Sequence, residues 1–197
     1  MAESGARIKV TKRLTATVTV IELKMALDPM LKTNVIGKVI EKDKLNGKLD
    51  TLILQTKTIA LVTGCFEILH AGHLAVSECV GKAADAVIVA VNSDSYLRRT
   101  KGRQVTIVDE DARALLIASL QYTDPVIIFD EDTPEKLIEL IDPNVLVMGQ
   151  EYEQQYMDKL LPGQIYIDER KIDVVFVPEV PNYRSSHLRK LIADGEQ

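Results

Sequence analysis

The sequence predicts an α/β protein built on a doubly wound parallel sheet. Three observations carry that expectation. From Thr58 onward, short apolar runs alternate with stretches of helical spacing, the order produced by strands joined through helical crossovers. The run Ala86–Val91 is apolar throughout, as in strands buried on both faces. Several runs close on polar residues or glycine, at the carboxyl ends where such sheets bind ligands.

Residues 1–56 read differently from the rest. Met1–Arg7 is polar, and Ile8–Thr11 is a short run. Leu14–Ile21 alternates and is rich in threonine and valine, fit for a strand or for the lead-in to a helix through Lys24–Leu27. Asp28-Pro29 stops any helix there, and Asn46-Gly47 marks a turn. We expect 1–56 to be a mostly helical N-terminal extension without catalytic groups, and 57–197 to be the main domain.

The first strand of that domain is expected at Ile59–Val62. It breaks at Gly64 and reaches two histidines flanking a glycine, His70-Ala71-Gly72-His73. Beyond them Leu74, Val76, Cys79, Val80 and Ala83 repeat at helical spacing. The histidines therefore stand where a buried strand turns into a helix, a place that favours anions, because the first N–H groups lack partners and the dipole is positive there. The chain has only three histidines, and the third, His187, lies in a second helix-start signature. Strands follow at Ala86–Val91, Pro125–Phe129, Val145–Met148 and Val174–Val177. Helices are expected over about 109–120, after Thr133-Pro134 with Thr133 as cap, and over Leu188–Ala193.

At 197 residues, 46% hydrophobic and 27% charged, the chain suits one soluble domain with an appendage. A net charge of -5 argues against non-specific nucleic-acid binding. No apolar run reaches membrane-spanning length and no signal-peptide core opens the chain. Cys65 and Cys79 are expected as free thiols of a reducing compartment. No GxGxxG or Walker-type glycine loop occurs. Arg98, Arg99, Lys101 and Arg103 are the densest positive cluster, which suits a polyphosphate. Asp130, Glu131 and Asp132 read as a solvated turn rather than a metal cluster, Arg113 as a helix-surface residue, and His187 as an exposed one.

With these segments placed, Gly64-Cys65-Phe66-Glu67-Ile68-Leu69-His70-Ala71-Gly72-His73 resembles the GCFDxLHxGH signature of the cytidylyltransferase-like nucleotidyltransferases. Val91-Asn92-Ser93-Asp94, followed by Arg98-Arg99-Thr100-Lys101-Gly102, is similar to a further segment of that family. Ile128–Pro134 and Val145–Tyr152 resemble most closely the adenylyltransferase domain of ADP-heptose synthases. Tyr183 with Ser185-Ser186 is similar to that domain's YSTT motif. The resemblance covers about 57–197.

The resemblance implies a Rossmann-like nucleotidyltransferase fold and a defined chemistry. An acceptor phosphate oxygen attacks the α-phosphate of a nucleoside triphosphate, and pyrophosphate leaves. It implies catalytic roles for His70, His73 and Lys101. Nucleotide contacts are implied for Thr63, Gly64, Cys65, Phe66, Gly72, Gly149, Ser185 and Ser186, and acceptor contacts for Glu67, Asn92, Asp94 and Arg113. Mg²⁺ is the implied cofactor, with no protein metal ligand assigned. The sequence departs from the family pattern at Glu67 and Glu151 (aspartates there), at Met148 (a lysine) and at Arg184 (a serine). An arginine-proline step after Lys101-Gly102 is also missing. The expected activity is adenylyl transfer to a sugar 1-phosphate such as heptose 1-phosphate. A cytidylyltransferase acting on glycerol 3-phosphate, and a nucleotide-binding module without turnover, are the alternatives. A cytoplasmic homo-oligomer with no nucleic-acid or membrane partner completes the expectations.

Overall fold

The computed structural model describes residues 35–55, 58–102, 106–178, 180, 183 and 185–195. The runs at 8–21, the helix at 24–27 and the stop at Asp28-Pro29 lie outside them, as do Arg103 and Arg184.

The described residues open with a one-turn helix, α1 (Val35–Lys38), a two-residue strand, β1 (Val39–Ile40), and a 3₁₀ turn at Lys42–Lys44. Helix α2 (Leu45–Gln55) follows and buries Leu45, Leu49 and Leu52, one face at helical spacing. The alternation then runs β2 (Ile59–Gly64), α3 (Ala71–Ala83), β3 (Ala86–Asn92), α4 (Asp94–Lys101), α5 (Glu110–Ala118), β4 (Val126–Phe129), α6 (Glu135–Ile141), β5 (Val145–Gly149), α7 (Glu153–Met157), α8 (Gln164–Arg170), β6 (Asp173–Val177) and α9 (Ser185–Asp194).

The six strands form one sheet in the order β1-β4-β3-β2-β5-β6, with every pairing parallel. The central strands are apolar on both faces because each face meets a layer of helices. Ile59 and Leu61 join Leu45, Leu137 and Ile138 on one side. Ala60 and Val62 join Val80 and Ile117 on the other. A fully buried Leu or Ile contributes about 1.5–3 kcal/mol of transfer free energy. Strand β2 lies between β3 and β5. The chain winds outward from β2 through β3 to β4, then crosses back to β5, so the order reverses beside β2. That reversal opens a crevice at the carboxyl ends of β2 and β5.

Four sequence expectations are corrected here. The compact unit that holds the sheet takes in residues 35–55, which were expected in the N-terminal extension. Residues 35–55 belong to it because β1 pairs with β4 and the leucines of α2 are core. Helix α6 is entered through Pro134 with no side-chain cap, so Thr133 does not cap it. Helix α9 starts at Ser185, three residues before its expected start. Helix α4 was not foreseen, because among its eight residues only Leu97 is buried and no apolar stripe announces it. Its ends specify it instead: Ser93 Oγ accepts the Tyr96 N–H at 2.8 Å, and Gly102 closes it at φ 62.

Candidate active site

The site grows from the turn after β2. Gly64 ends the strand with the Phe66 ring so close that an added Cβ would fall 3.0 Å from it. Phe66 itself has φ 49, a left-handed conformation that a bulky residue adopts at a cost of about 1–3 kcal/mol. The turn delivers His70 to the N-cap position of α3. The His70 N–H donates to His73 Nδ1 at 3.3 Å, and the two rings stack with centroids 3.8 Å apart. Phe66 meets the His73 ring edge-on at 5.2 Å.

These contacts set the protonation of the pair. Burial, and secondarily the neighbouring His70, push the His73 pKa down to about 4. Burial also lowers that of His70. His73 is therefore neutral at pH 7. Its Nδ1 accepts a hydrogen bond, so its proton sits on Nε2 and makes that nitrogen a donor. Gly72 lets the parts approach: a Cβ there would meet the His70 ring at 3.0 Å and the Tyr183 carbonyl at 3.2 Å. Helix α9 arrives from the far side, with Ser185 Oγ 3.4 Å from His70 Nε2.

Two adjoining clefts meet at this turn. One, of about 400 Å³, runs toward α4 past Asn92, Tyr96, Phe129 and Tyr152. The other, of about 420 Å³, runs toward α9 past His70, Gly72, Pro178 and Tyr183. Both are lined by Cys65, His73, Lys101, Gly149, Glu151 and Ser185. The structure thus brings His70, His73, Lys101, Gly72, Gly149 and Ser185 to one seam, with Thr63, Gly64, Phe66 and Asn92 along the α4-side cleft. The Ser186 side chain lies outside the described residues. At Gly149 a Cβ would collide with the Glu151 carboxylate at 2.1 Å, so glycine is what lets that carboxylate fold over the end of β5.

Of the other expected contacts, Glu67 lines the α9-side cleft, whereas Arg113 and Asp94 line neither. Arg113 is fully buried, not a surface residue. It donates to the carbonyl of Cys65, to Asp94 Oδ1 at 2.7 Å and to the Val108 carbonyl at 3.0 Å. Arg113 and Asp94 therefore brace the turn from behind. Glu67 is 2% exposed and pairs with Arg189 of α9, so it too is engaged by protein. Arg99 binds Asp130 and Asp132, which removes it from the positive cluster expected for a polyphosphate. Among the described residues no group of three or more His, Cys, Asp or Glu is arranged to hold a metal ion. Tyr96, Tyr152, Glu151 and Arg189 were not foreseen as parts of the site. Tyr96 was hidden in an unrecognised helix, and Arg189 stands one helical turn after Ser185, a spacing that could have placed it.

The cytidylyltransferase-like family model matches residues 61–191, from within β2 to within α9. The chain belongs to the cytidylyltransferase-like family. Its class of activity is that of a nucleotidyltransferase. Curated relatives include proteins named "Bifunctional protein HldE". That of Nitrobacter hamburgensis is 36% identical over 190 residues, covering 96% of this chain and 38% of the relative. That of a Bradyrhizobium species is 38% identical over 159 residues, covering 79% and 32%. A Rhodopseudomonas palustris protein of the same name is 34% identical over 196 residues, covering 99% and 39%. The chain therefore spans less than two fifths of these relatives. The last alignment also reaches through residues 1–56, beyond the stretch on which the sequence resemblance rested. Among solved structures, the lipopolysaccharide core biosynthesis protein from Thermoplasma volcanium is 28% identical with a TM-score of 0.47, covering 62% of this chain and 96% of that one. No helix among the described residues is long and apolar enough to cross a membrane.

Proposed function

We propose that this chain transfers an adenylyl group from ATP to a sugar 1-phosphate of the heptose 1-phosphate type. The observation that carries the proposal is the pair of clefts sharing His73, Lys101, Gly149, Glu151 and Ser185. Two substrates placed in adjoining clefts meet at that seam. The choice of adenine and of a sugar rests on the segments Ile128–Pro134 and Val145–Tyr152, which resemble the adenylyltransferase domain of ADP-heptose synthases.

The triphosphate lies across the N-termini of α3 and α9, whose free amides and dipoles favour it. Its base occupies the cleft beside Pro178 and Tyr183. The acceptor fills the cleft beside Asn92, Tyr96 and Tyr152, with its phosphate toward Lys101. An acceptor oxygen forms a bond to the α-phosphorus, the bond to the β-phosphate oxygen breaks, and pyrophosphate departs. The protein contributes positioning and charge neutralisation rather than a covalent intermediate. His73 Nε2–H and the His70 imidazole donate to oxygens that gain charge in the transition state, and Lys101 adds a cation there. Arg113 keeps the turn in place from beneath.

Magnesium fits this donor set. Mg²⁺ is commonly held by substrate phosphates with one or two carboxylates and several waters, and Glu151 brings one carboxylate to the seam beside Gly149. When bound, the ion neutralises phosphate charge. The test is pyrophosphate release with ATP and with CTP against a panel of phosphorylated acceptors. ATP with a hexose or heptose 1-phosphate should exceed every other pair. CTP with glycerol 3-phosphate as the best pair would overturn the assignment.

A further inference from the structure

The buried carboxylate of Glu67 has no role in the transfer just described, yet it joins three segments that supply the site. Its Oε1 accepts the Ile107 N–H at 3.4 Å, in the connection between Lys101 and α5. The same oxygen pairs with the Arg189 guanidinium in α9. Glu67 itself stands in the turn that carries His70 three residues on. Arg189 lies four residues, about one helical turn, beyond Ser185, so the pair sits behind the contact of Ser185 with His70. The Glu67 side chain is 1% exposed and that of Arg189 25%. Glu67 lines the α9-side cleft, but its Oε1 is turned to Arg189 and the Ile107 N–H, so the pair acts through the elements it ties together.

We propose that Glu67 and Arg189 are positioning residues that set α9 against the histidine turn and so hold Ser185 at His70. The proposal rests on the nucleotidyl-transfer reading above. Its physical basis is the character of buried ion pairs. Desolvation offsets much of their attraction, so an apolar pair of similar size holds a core together equally well. An ion pair differs in being specific to its partner: it favours the one register of two elements that brings the charges together, which shape-tolerant apolar packing does not. Stability and positioning can therefore be separated by experiment.

The experiment compares Glu67→Met, Arg189→Met and the double variant with the wild-type chain. The readouts are melting temperature, single-turnover rate, KM for ATP and for the acceptor, and amide exchange in α9. Each single variant leaves one buried charge without its partner and should lower the melting temperature. The double variant should melt within about 2 °C of wild type yet turn over about 10- to 100-fold more slowly. Amides of Leu188–Leu191 should exchange at least about tenfold faster in it than in wild type. A double variant that regains turnover together with stability would show the pair to be structural only and overturn the proposal. So would acceptor KM rising in Glu67→Met alone, which would make Glu67 an acceptor contact. If the wild-type chain releases no pyrophosphate with any substrate pair, the functional reading fails instead. The exchange comparison then still decides the pair, since unchanged protection of α9 in the double variant overturns it.

Discussion

Replacing His73 by asparagine should separate its two roles. In the structure, Nδ1 accepts the His70 N–H at 3.3 Å, while Nε2 carries the proton offered to phosphate. Asparagine Oδ1 can take the place of Nδ1 and keep the first contact, but nothing in asparagine reaches the position of Nε2. The ring's stacking on His70 at 3.8 Å and its edge contact with Phe66 at 5.2 Å are lost, at about 0.5–1.5 kcal/mol per aromatic pair. That corresponds to a fall in melting temperature of about 2–4 °C per kcal/mol for a chain of this size. Turnover should fall far more. Removing one preorganised donor to transition-state charge costs about 2.7–4 kcal/mol, or 10²–10³ in kcat. Ground-state affinity for the triphosphate should change little, because the amides of α3 and α9 remain. His73→Gln is the complement: its Nε2 reaches toward the donor position while the bond to His70 N–H is lost, at about 0.5–2 kcal/mol. It should therefore be less stable than the asparagine variant but faster. The assay is the single-turnover rate with the ATP dissociation constant by calorimetry, at matched folded fraction. An asparagine variant within about threefold of wild type in rate would refute the donor role of the motif.

Four further outcomes follow from the same structure. The neutral His73 takes a proton only near pH 4, whereas an unfolded histidine does so near 6.5. Between those values the unfolded chain binds more protons, so stability is lost as pH falls from about 6.5 toward 4 and has no contribution from this group above 6.5. Urea unfolding at about pH 7, 5.5 and 4.5 checks it, and His73→Asn should show the shallower dependence. Leu45→Ala should destabilise the protein by about 2–5 kcal/mol, since Leu45 is wholly buried. A chain beginning at residue 57 should fail to give a cooperative melt where one beginning at Thr33 gives it. Arg113→Met should cost about 3–5 kcal/mol in denaturant unfolding by stranding Asp94; a loss of acceptor affinity with no loss of stability would instead restore Arg113 as a substrate contact.

Strands β2 to β6 were legible because a sheet covered on both faces favours long apolar runs, whereas the two-residue β1 was not. Val87, Ile88 and Val89 advertise that burial wherever they occur. Turn chemistry was equally local: Gly64 and Gly72 stand where a ring or a carbonyl crowds a side chain, and Gly102 where the backbone is left-handed. The histidine motif could therefore be placed at a strand-to-helix turn, and its neighbours at strand ends, without coordinates. What could not be read locally was which polar side chains face the clefts and which face each other. Arg113 and Asp94 lie 19 residues apart in the chain, and Glu67 and Arg189 lie on segments that meet only when α9 packs back. Arginines and carboxylates are ordinary surface residues until a partner from elsewhere makes burial tolerable, and no periodicity encodes that partner. Helix α4 likewise depends on its caps and on Leu97, and α2 joined the core because the sheet offered a face for its three leucines. Sequence alone determined strands β2 to β6, the histidine turn and the chemistry at the strand ends, because these depend on near neighbours. Tertiary structure decided which charges were brought into the site and which were consumed in bracing it, because the energy of a charge depends on what surrounds it in space.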